Sequence, residues 1–349
     1  MNNRGSLTVV NITTGIVGGH HSCNFSDVIS IDNLLLAWRG FRKGKRSKPA
    51  VINFELKLEE NILSLYQDLI CGLWEPKPYK VFYTRDPKLR QIHEADIRDM
   101  VLYQAVYQKL YQVFDATFIF DSYSSRKTKG THAGVKRFEG FANKVTQNYT
   151  RAAYALKCDL RKFFDSIDHE ILLELIARKI DDYKLFNLIK TIILSFEKSA
   201  GKGLPLGNVT SQLFANIYLN ELDQFIKHNL KAKYYIRYCD DFVVLSDSTE
   251  YLNHCLNKIE YFCAKSLSVN LHPGKIEIRK LKNGVDFLGY VSLPRYRVLR
   301  TKTKRRMLKR ISAKNAASYL GMLTHCKGKE IKIEVNKTIS QKSHVDEIR

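Results

Sequence analysis

The spacing of apolar and polar positions divides the chain into segments of helical and of strand period. Over residues 55–73, Leu58, Ile62, Leu65 and Leu69 recur at helical spacing, and the run ends near Gly72 and Pro76, which predicts a helix closed by turn formers. Short β-prone pieces at 79–83 and 90–92 precede a second helix carrying Met100, Val101, Ala105, Tyr107 and Leu110. The stretch DSYSSRKTKGTHAG (121–134) reads as a polar loop. A strand is expected over 153–160. After it comes an amphipathic helix capped by Asp168, with Ile171, Leu172, Leu175, Ile176 and Ile180 on one face. The Gly/Pro loop 201–207 opens a long helix, 208–227, that buries Leu213, Phe214, Ile217, Tyr218, Leu222 and Phe225. Two apolar runs, 234–238 and 242–245, flank a Cys-Asp-Asp turn and predict a hairpin. A helix over 252–265, short strands around 276–278 and 287–291, and a helical segment at 318–326 follow. Residues 1–25 read as loosely structured, and 338–349 carry no assignment. The pattern is that of an α+β fold, a small antiparallel sheet backed by helices.

Composition narrows the class. The chain has 349 residues, 44% hydrophobic and 26% charged, which excludes a largely disordered polymer and suggests about two or three domains. No apolar run approaches the ~20 residues of a membrane-spanning helix, and 1–20 lack the pattern of a signal or transit peptide. The seven cysteines are scattered and contain no CxxC pair, so a disulfide framework and a Cys-based zinc site are disfavoured and a cytoplasmic setting is expected. The net charge is +22, and two acid-free runs, 39–48 and 295–314, supply sixteen of those charges. Concentrated positive charge of this kind marks a polyphosphate partner, with a solvated basic surface as the alternative; no membrane association is expected.

Against this basic background three carboxylates stand out. Asp240 and Asp241 sit at the tip of the predicted hairpin, and Asp159 ends the strand YALKCD. Taken singly, each has a structural explanation, because Asp is common at turns and helix boundaries. Together, at two strand ends, they offer hard oxygen ligands suited to Mg²⁺, with Mn²⁺ as a substitute. Two such ions roughly 3.5–4 Å apart stabilise the attacking and leaving oxygens of a phosphoryl transfer.

These residues also form a set. YCDD (238–241) resembles the YxDD motif of reverse transcriptases, and DLRKFF (159–164) resembles their first catalytic motif. LGNVTSQ (206–212) resembles the motif opening their nucleotide-contacting helix, HPGK (272–275) the motif after the catalytic hairpin, and FLGY (287–290) the primer grip. RDPKLR (85–90) and DSYSSR (121–126) resemble fingers segments, so the likeness runs from about residue 55 to 325 in an ordered series. It implies a right-hand polymerase: an N-terminal extension with a basic segment (1–54), fingers (55–152, with 170–203 inserted), palm (153–169 and 204–293), and a helical thumb with a tail (294–349).

The resemblance also implies roles. Asp159, Asp240 and Asp241 are the metal ligands, Asp240 ranking above Asp241, with the Leu160 carbonyl completing a shell. Asp165 and Asp168 are read as helix-start residues. Lys88 and Arg90 would hold the incoming dNTP triphosphate, Arg85 being a weaker candidate. Phe164 would be the steric gate against a ribose 2′-hydroxyl, the alternative being one more core aromatic. Lys275 would protonate the departing pyrophosphate, the alternative being a turn lysine. Leu206, Gly207 and Gln212 would contact the nascent pair, Gly207 because a Cβ would clash there, with Ser211 beside Gln212 on the template side. Arg126 and Lys127 would touch template, while Arg295, Arg297, Lys302, Lys304, Arg305 and Arg306 would track the RNA–DNA hybrid and the 39–48 run the template RNA.

Most reverse transcriptases carry Gln-Gly at the start of the nucleotide-binding helix motif and Ser-Pro at its end; here the pairs are Leu206-Gly207 and Ser211-Gln212. That form, with KGKRSKP (43–49), DSYSSRKTKGTHAG and LPLGNVTSQLFANIYLNELD (204–223), resembles the bacterial or phage-encoded enzymes of diversity-generating retroelements. It implies error-prone copying opposite template adenine and a small basic accessory-variability protein as partner. The alternatives are an antiphage-defence or retron-like reverse transcriptase and, in another class, a non-catalytic RNA-binding scaffold.

Overall fold

In the computed structural model, which describes residues 23–85, 89–312 and 315–347, the chain opens with helices α1 (Phe25–Ile29), α2 (Ile31–Phe41), α3 (Pro49–Leu56) and α4 (Leu58–Cys71). A hairpin of β1 (Lys80–Thr84) and β2 (Arg90–Glu94) leads into α5 (Ile97–Asp115) and α6 (Thr131–Val145). Strand β3 (Tyr154–Asp159) is followed by α7 (Phe163–Ser166), α8 (His169–Ala177), α9 (Tyr183–Leu194) and α10 (Val209–Gln224), which runs into a π-helical turn (Phe225–Asn229). Next come the hairpin β4 (Tyr234–Tyr238) and β5 (Asp241–Ser246), helix α11 (Thr249–Ser266) and strand β6 (Glu277–Lys280). Short strands β7 (Val285–Phe287), β8 (Tyr290–Ser292) and β9 (Arg297–Leu299) precede α12 (Thr301–Arg310), α13 (Ala316–Leu323) and α14 (Lys329–Glu347).

The organising element is the antiparallel sheet β4-β5-β3-β6. Successive residues of a strand face opposite sides, and here both sides are covered. Leu156, Cys158, Tyr235, Phe242 and Val244 face the main core of α5, α8, α10 and α11, while Ala155, Ile236, Val243 and Leu245 face Phe138, Phe141 and Ala142 of α6. Double burial explains why 234–238 and 242–245 read as continuous apolar runs rather than alternating ones. Helix α10 is the inner support, with residues from Thr210 to Asp223 buried on most sides of the helix. A third core, around Tyr290, Leu299, Met307, Leu323 and Val335, joins β8 and β9 to α12, α13 and α14.

Several expectations are corrected. Within the 1–54 stretch, the described residues join the main core: Leu34, Ala37, Trp38 and Phe41 of α2 and Val51 of α3 belong to it. Residues 1–22 lie outside the described part. The loop 121–134 ends four residues earlier than expected, at Gly130, since Thr131 starts α6. The strand expected at 287–291 is a hairpin whose turn residues, Leu288 and Gly289, take φ of +52° and +88°, the two-residue turn that Gly at the second position favours. Most of 338–349 continues α14. Asp168 caps α8 as expected, its carboxylate accepting from the backbone N–H groups of Glu170 and Ile171 at 3.1 and 3.4 Å.

Candidate active site

Asp159 and Asp241 are placed by register. They are direct partners across β3 and β5, and the pair Tyr238–Asp241 closes the two-residue turn that carries Asp240. Cys239, the first turn residue, adopts φ +56°, a left-handed conformation that costs a non-glycine residue roughly 1–2 kcal/mol. The turn is tied down on both sides: the Leu160 N–H donates to the Asp240 carbonyl at 3.2 Å, and Arg237 donates to the Cys239 carbonyl at 3.1 Å. The segment after α11 is drawn in as well, because the His272 N–H donates to the Asp159 carbonyl at 2.8 Å. That brings Lys275 over the site, with its Nζ 2.6 Å from Asp159 Oδ1. Asp159, the pair Asp240 and Asp241, and Lys275, from three separate stretches of sequence, thus meet at one end of the sheet.

Crowding sets the electrostatics. Burial, reinforced by the charge of Asp159, holds the Asp240 carboxyl above its ordinary range. Burial pushes Asp241 up to about 7, Lys157 opposing and the neighbouring carboxylates reinforcing the shift. Lys157 Nζ lies 3.7 Å from Asp241 Oδ2, while Asp241 Oδ1 is buried without a hydrogen-bond partner. An orphaned carboxylate oxygen among like charges is a donor that a hard cation satisfies. Among the described residues, no three His, Cys, Asp or Glu side chains converge into a preformed metal cage. The donor chemistry nonetheless suits Mg²⁺, which retains several waters and draws ligands from substrate phosphates.

Sequence reasoning missed the residue that supports this turn. Arg237 is fully buried one residue before the motif, with Nε and Nη2 donating to Asp223 of α10 at 2.7 and 2.6 Å. Tyr235 donates its hydroxyl proton to the same carboxylate at 2.6 Å, and Arg237 also reaches Asn216 Oδ1 at 3.2 Å. The signal was present: an arginine inside the apolar run YYIRY has no place in a strand covered on both faces unless an acid awaits it.

A cavity of about 200 Å³ lies between β2 and the start of α10, lined by Arg90, His93, Asp165, Phe196, Lys198 and Leu206 among others. Gly207 takes φ +122°, and a Cβ there would lie 3.2 Å from the Ile92 side chain. The glycine is therefore required by its own backbone conformation, and β2 packs tightly over it, whatever binds beyond. The His93 N–H holds the Leu206 carbonyl at 3.2 Å, and the His93 ring meets Phe196 edge-on at 4.6 Å; no motif announced this brace. Phe164 is half-buried beside Phe163, with its carbonyl accepting from the Leu204 N–H at 2.8 Å. Gln212 is exposed and accepts from the Ser125 hydroxyl at 2.8 Å, whereas Ser211 is buried and cannot face a template. Lys88 lies outside the described residues.

The basic residues divide. Arg126 is not a surface contact: only 8% of its side chain is exposed, and it is bound to Asp115 at 2.6 Å and to the Ile119 carbonyl at 2.7 Å. Its work is to hold the 121–130 loop on α5. Arg297 is likewise turned inward to Glu139 at 3.0 Å, and Lys304 faces Glu334 at 3.5 Å. In the N-terminal run, Arg42 pairs with Glu55 and Lys45 sits over the Phe41 ring. Lys127, Arg295, Lys302 and Arg305 are exposed, and Arg306 is half-buried. Thr303 and Met307 anchor α12, which turns Lys302, Arg305 and Lys309 outward on one helical face. Arg310 of this helix donates to the Arg85 carbonyl at 3.3 Å, so α12 meets the end of β1.

A family model described as "Reverse transcriptase (RNA-dependent DNA polymerase)" matches residues 84–292. The chain is similar to Protein YkfC of Escherichia coli K12, 24% identical over 280 residues that cover 68% of this chain and 72% of that protein. It is 28% identical over 216 residues to the group II intron-encoded protein LtrA of Lactococcus lactis, covering 58% of this chain but 35% of LtrA. The retron Ec73 reverse transcriptase of Escherichia coli is 30% identical over 165 residues, 43% of this chain and 49% of that enzyme. Among solved structures, apo telomerase from Candida tropicalis superposes with a TM-score of 0.50 at 15% identity, over 64% of this chain and 54% of that one. That likeness concerns the fold, a right-hand polymerase with a small antiparallel sheet.

Proposed function

Because the chain belongs to the reverse transcriptase family, we propose that it copies RNA into DNA, with Asp159, Asp240 and Asp241 as the divalent-metal ligands and the Leu160 carbonyl as a further donor. The observation that carries this reading is the register pairing of Asp159 with Asp241 beneath a turn that presents Asp240. When bound, a pair of Mg²⁺ ions supplies stabilisation of the attacking and leaving oxygens. The chain's own residues bind and orient. In this reading the helices up to α6, with β1–β2, form the fingers, the central sheet the palm, and α12–α14 the thumb. Arg90, at the mouth of the cavity, pairs with the triphosphate of a dNTP through its fork of donors, and Lys88 joins it. Leu206, Gly207 and Gln212 border the nascent pair. Lys275 keeps a proton within reach of the site and must leave Asp159 to donate it to pyrophosphate. Lys302, Arg305 and Arg306 on α12, with Arg295 and Lys127, follow the primer–template backbone without reading bases. Mg²⁺-dependent dNTP incorporation on a primed RNA template tests the reading, and absence of incorporation would overturn it.

Phe164 is the proposed gate. Shrinking it to valine should raise ribonucleotide over deoxyribonucleotide use by about 10–100-fold, since one steric contact is worth ~1–3 kcal/mol of discrimination. Competition between rNTP and dNTP on one template gives the ratio directly; an unchanged ratio would assign Phe164 to the core alone.

The finer reading is a mutagenic enzyme of a diversity-generating retroelement, working with a basic accessory protein. Its support is the aliphatic Leu206 at the position where most of the family carries Gln, its carbonyl held by the His93 N–H. Leu206→Gln should lower misincorporation opposite template adenine by roughly tenfold, the order expected of one added hydrogen bond. Sequencing of the cDNA decides, and an unaltered error spectrum would count against this reading.

A further inference from the structure

The end of β3 remote from Asp159 borders a second concavity, of about 180 Å³, lined by Thr146, Tyr149, Thr150, Arg151, Lys280 and Lys282 among others. Lys280 is the register partner of Tyr154, the first residue of β3, and Asp159 is the last. At ~3.3 Å per residue the two ends stand roughly 17 Å apart, so this pocket is separate from the carboxylates.

Its wall is an unusual piece of backbone. Gln147, Asn148 and Tyr149 take φ of +48°, +59° and +65° in succession without a glycine, a conformation that side chains disfavour and that persists only where its surroundings hold it. Thr146 does the holding. Its hydroxyl donates to the Ala142 carbonyl at 2.6 Å and accepts from the Tyr149 N–H at 2.9 Å, and its carbonyl accepts from the Arg151 N–H at 2.9 Å. The Asn148 N–H covers the Asn143 carbonyl at 2.7 Å. The loop therefore caps the end of α6, so the helix's negative end is covered where the chain swings Arg151 towards Lys280 and Lys282. No acidic residue lines the concavity. Neighbouring Arg279 is paired with Glu277 at 3.3 Å, but among the described residues Arg151, Lys280 and Lys282 have no carboxylate partner.

We propose that this pocket is a second nucleic-acid contact, which takes backbone phosphate of the template RNA outside the reaction centre. Three exposed cations contributed by two separate segments, around an open concavity with no buried donor, suit a chain passing across them. They would hold a single small anion weakly, and gain from being linked to a strand already bound elsewhere. Only the naming of that strand as template rests on the polymerase reading.

The test compares the full-length chain with its Arg151→Ala/Lys280→Ala/Lys282→Ala variant on two probes, a long single-stranded RNA and a short primed duplex. Binding of the long RNA should weaken, and the slope of log affinity against log salt should fall by about 2, since each phosphate contact on a single strand contributes ~0.7. dNTP incorporation on the short duplex should stay within about twofold, because no removed charge lies near the carboxylates. An unchanged salt slope overturns the site, and so does an equal loss on the short duplex, which would reflect bulk charge only. Displacement of the long RNA by millimolar inorganic phosphate in the wild type, but not in the variant, would mark a small-anion site instead and also overturn it. If the triple variant does not fold, Lys282→Glu, a change at an exposed turn, answers the same question by its salt slope. Should the wild type bind RNA through these residues yet incorporate no dNTP, the pocket stands and the polymerase reading fails.

Discussion

Arg237→Met should cost about 3–5 kcal/mol of folding stability, because it strands Asp223 as an uncompensated buried charge. Both side chains of the pair are fully buried, so solvent cannot make up for the lost partner. The variant also removes the donor to the Cys239 carbonyl, which braces the turn that carries Asp240. Denaturant unfolding should show a lower midpoint, with a further loss of activity in whatever fraction remains folded. Removing both charges, and with them the Tyr235 hydroxyl that donates to Asp223, tests the cause: Arg237→Met/Asp223→Leu/Tyr235→Phe should recover much of the stability, since replacing a buried pair by apolar groups is often close to neutral. Activity should not recover with it, because the turn has lost its tether. If the single variant were as stable as the parent, the pair would be structurally idle.

The second large effect is on chemistry. Asp240→Ala and Asp241→Ala should each reduce dNTP incorporation by at least ~10³-fold, the equivalent of about 4 kcal/mol of transition-state stabilisation. Neither change should impair folding, because each removes a carboxyl that burial already holds above its ordinary range. Rapid-quench incorporation on primed RNA measures the loss, and thermal melting in chelator checks the fold. Wild-type rates from either variant would remove these residues from the reaction. The wild type should also show a pH signature. A cation needs its carboxylates deprotonated, and burial pushes Asp241 up to about 7. The Mg²⁺ concentration for half-maximal rate should therefore fall as pH rises from 6 to 8, steeply in the wild type and less so in Asp241→Asn.

The candidate site was legible where chemistry forces a residue type and local order forces its place. Asp240 and Asp241 lie within a hairpin whose strands and turn follow from composition, and Asp168 could be read as a cap. What failed in the reading shares one cause: a cation cannot be assigned to solvent or to an internal acid until its neighbours in space are known. Arg126 and Arg297 belong to basic segments by sequence and to Asp115 and Glu139 by contact. Arg237, hidden in an apolar run, was passed over for the opposite reason. The helices of 25–56 were missed because their apolar positions make sense only against the helices they pack on, α5 foremost with α4 and α9.

By itself, then, the sequence determined most element types from residue 55 onward, the excess of positive charge, the order of the motifs and the three carboxylates, all properties of single residues or near neighbours. Only the tertiary structure decided which charges remain outside, that Lys275 stands on Asp159, that β2 packs over Gly207, and that Arg237 braces the turn. Each of these depends on contacts between residues distant along the chain, and burial, which sets the cost of every charge, is a property of the assembled fold.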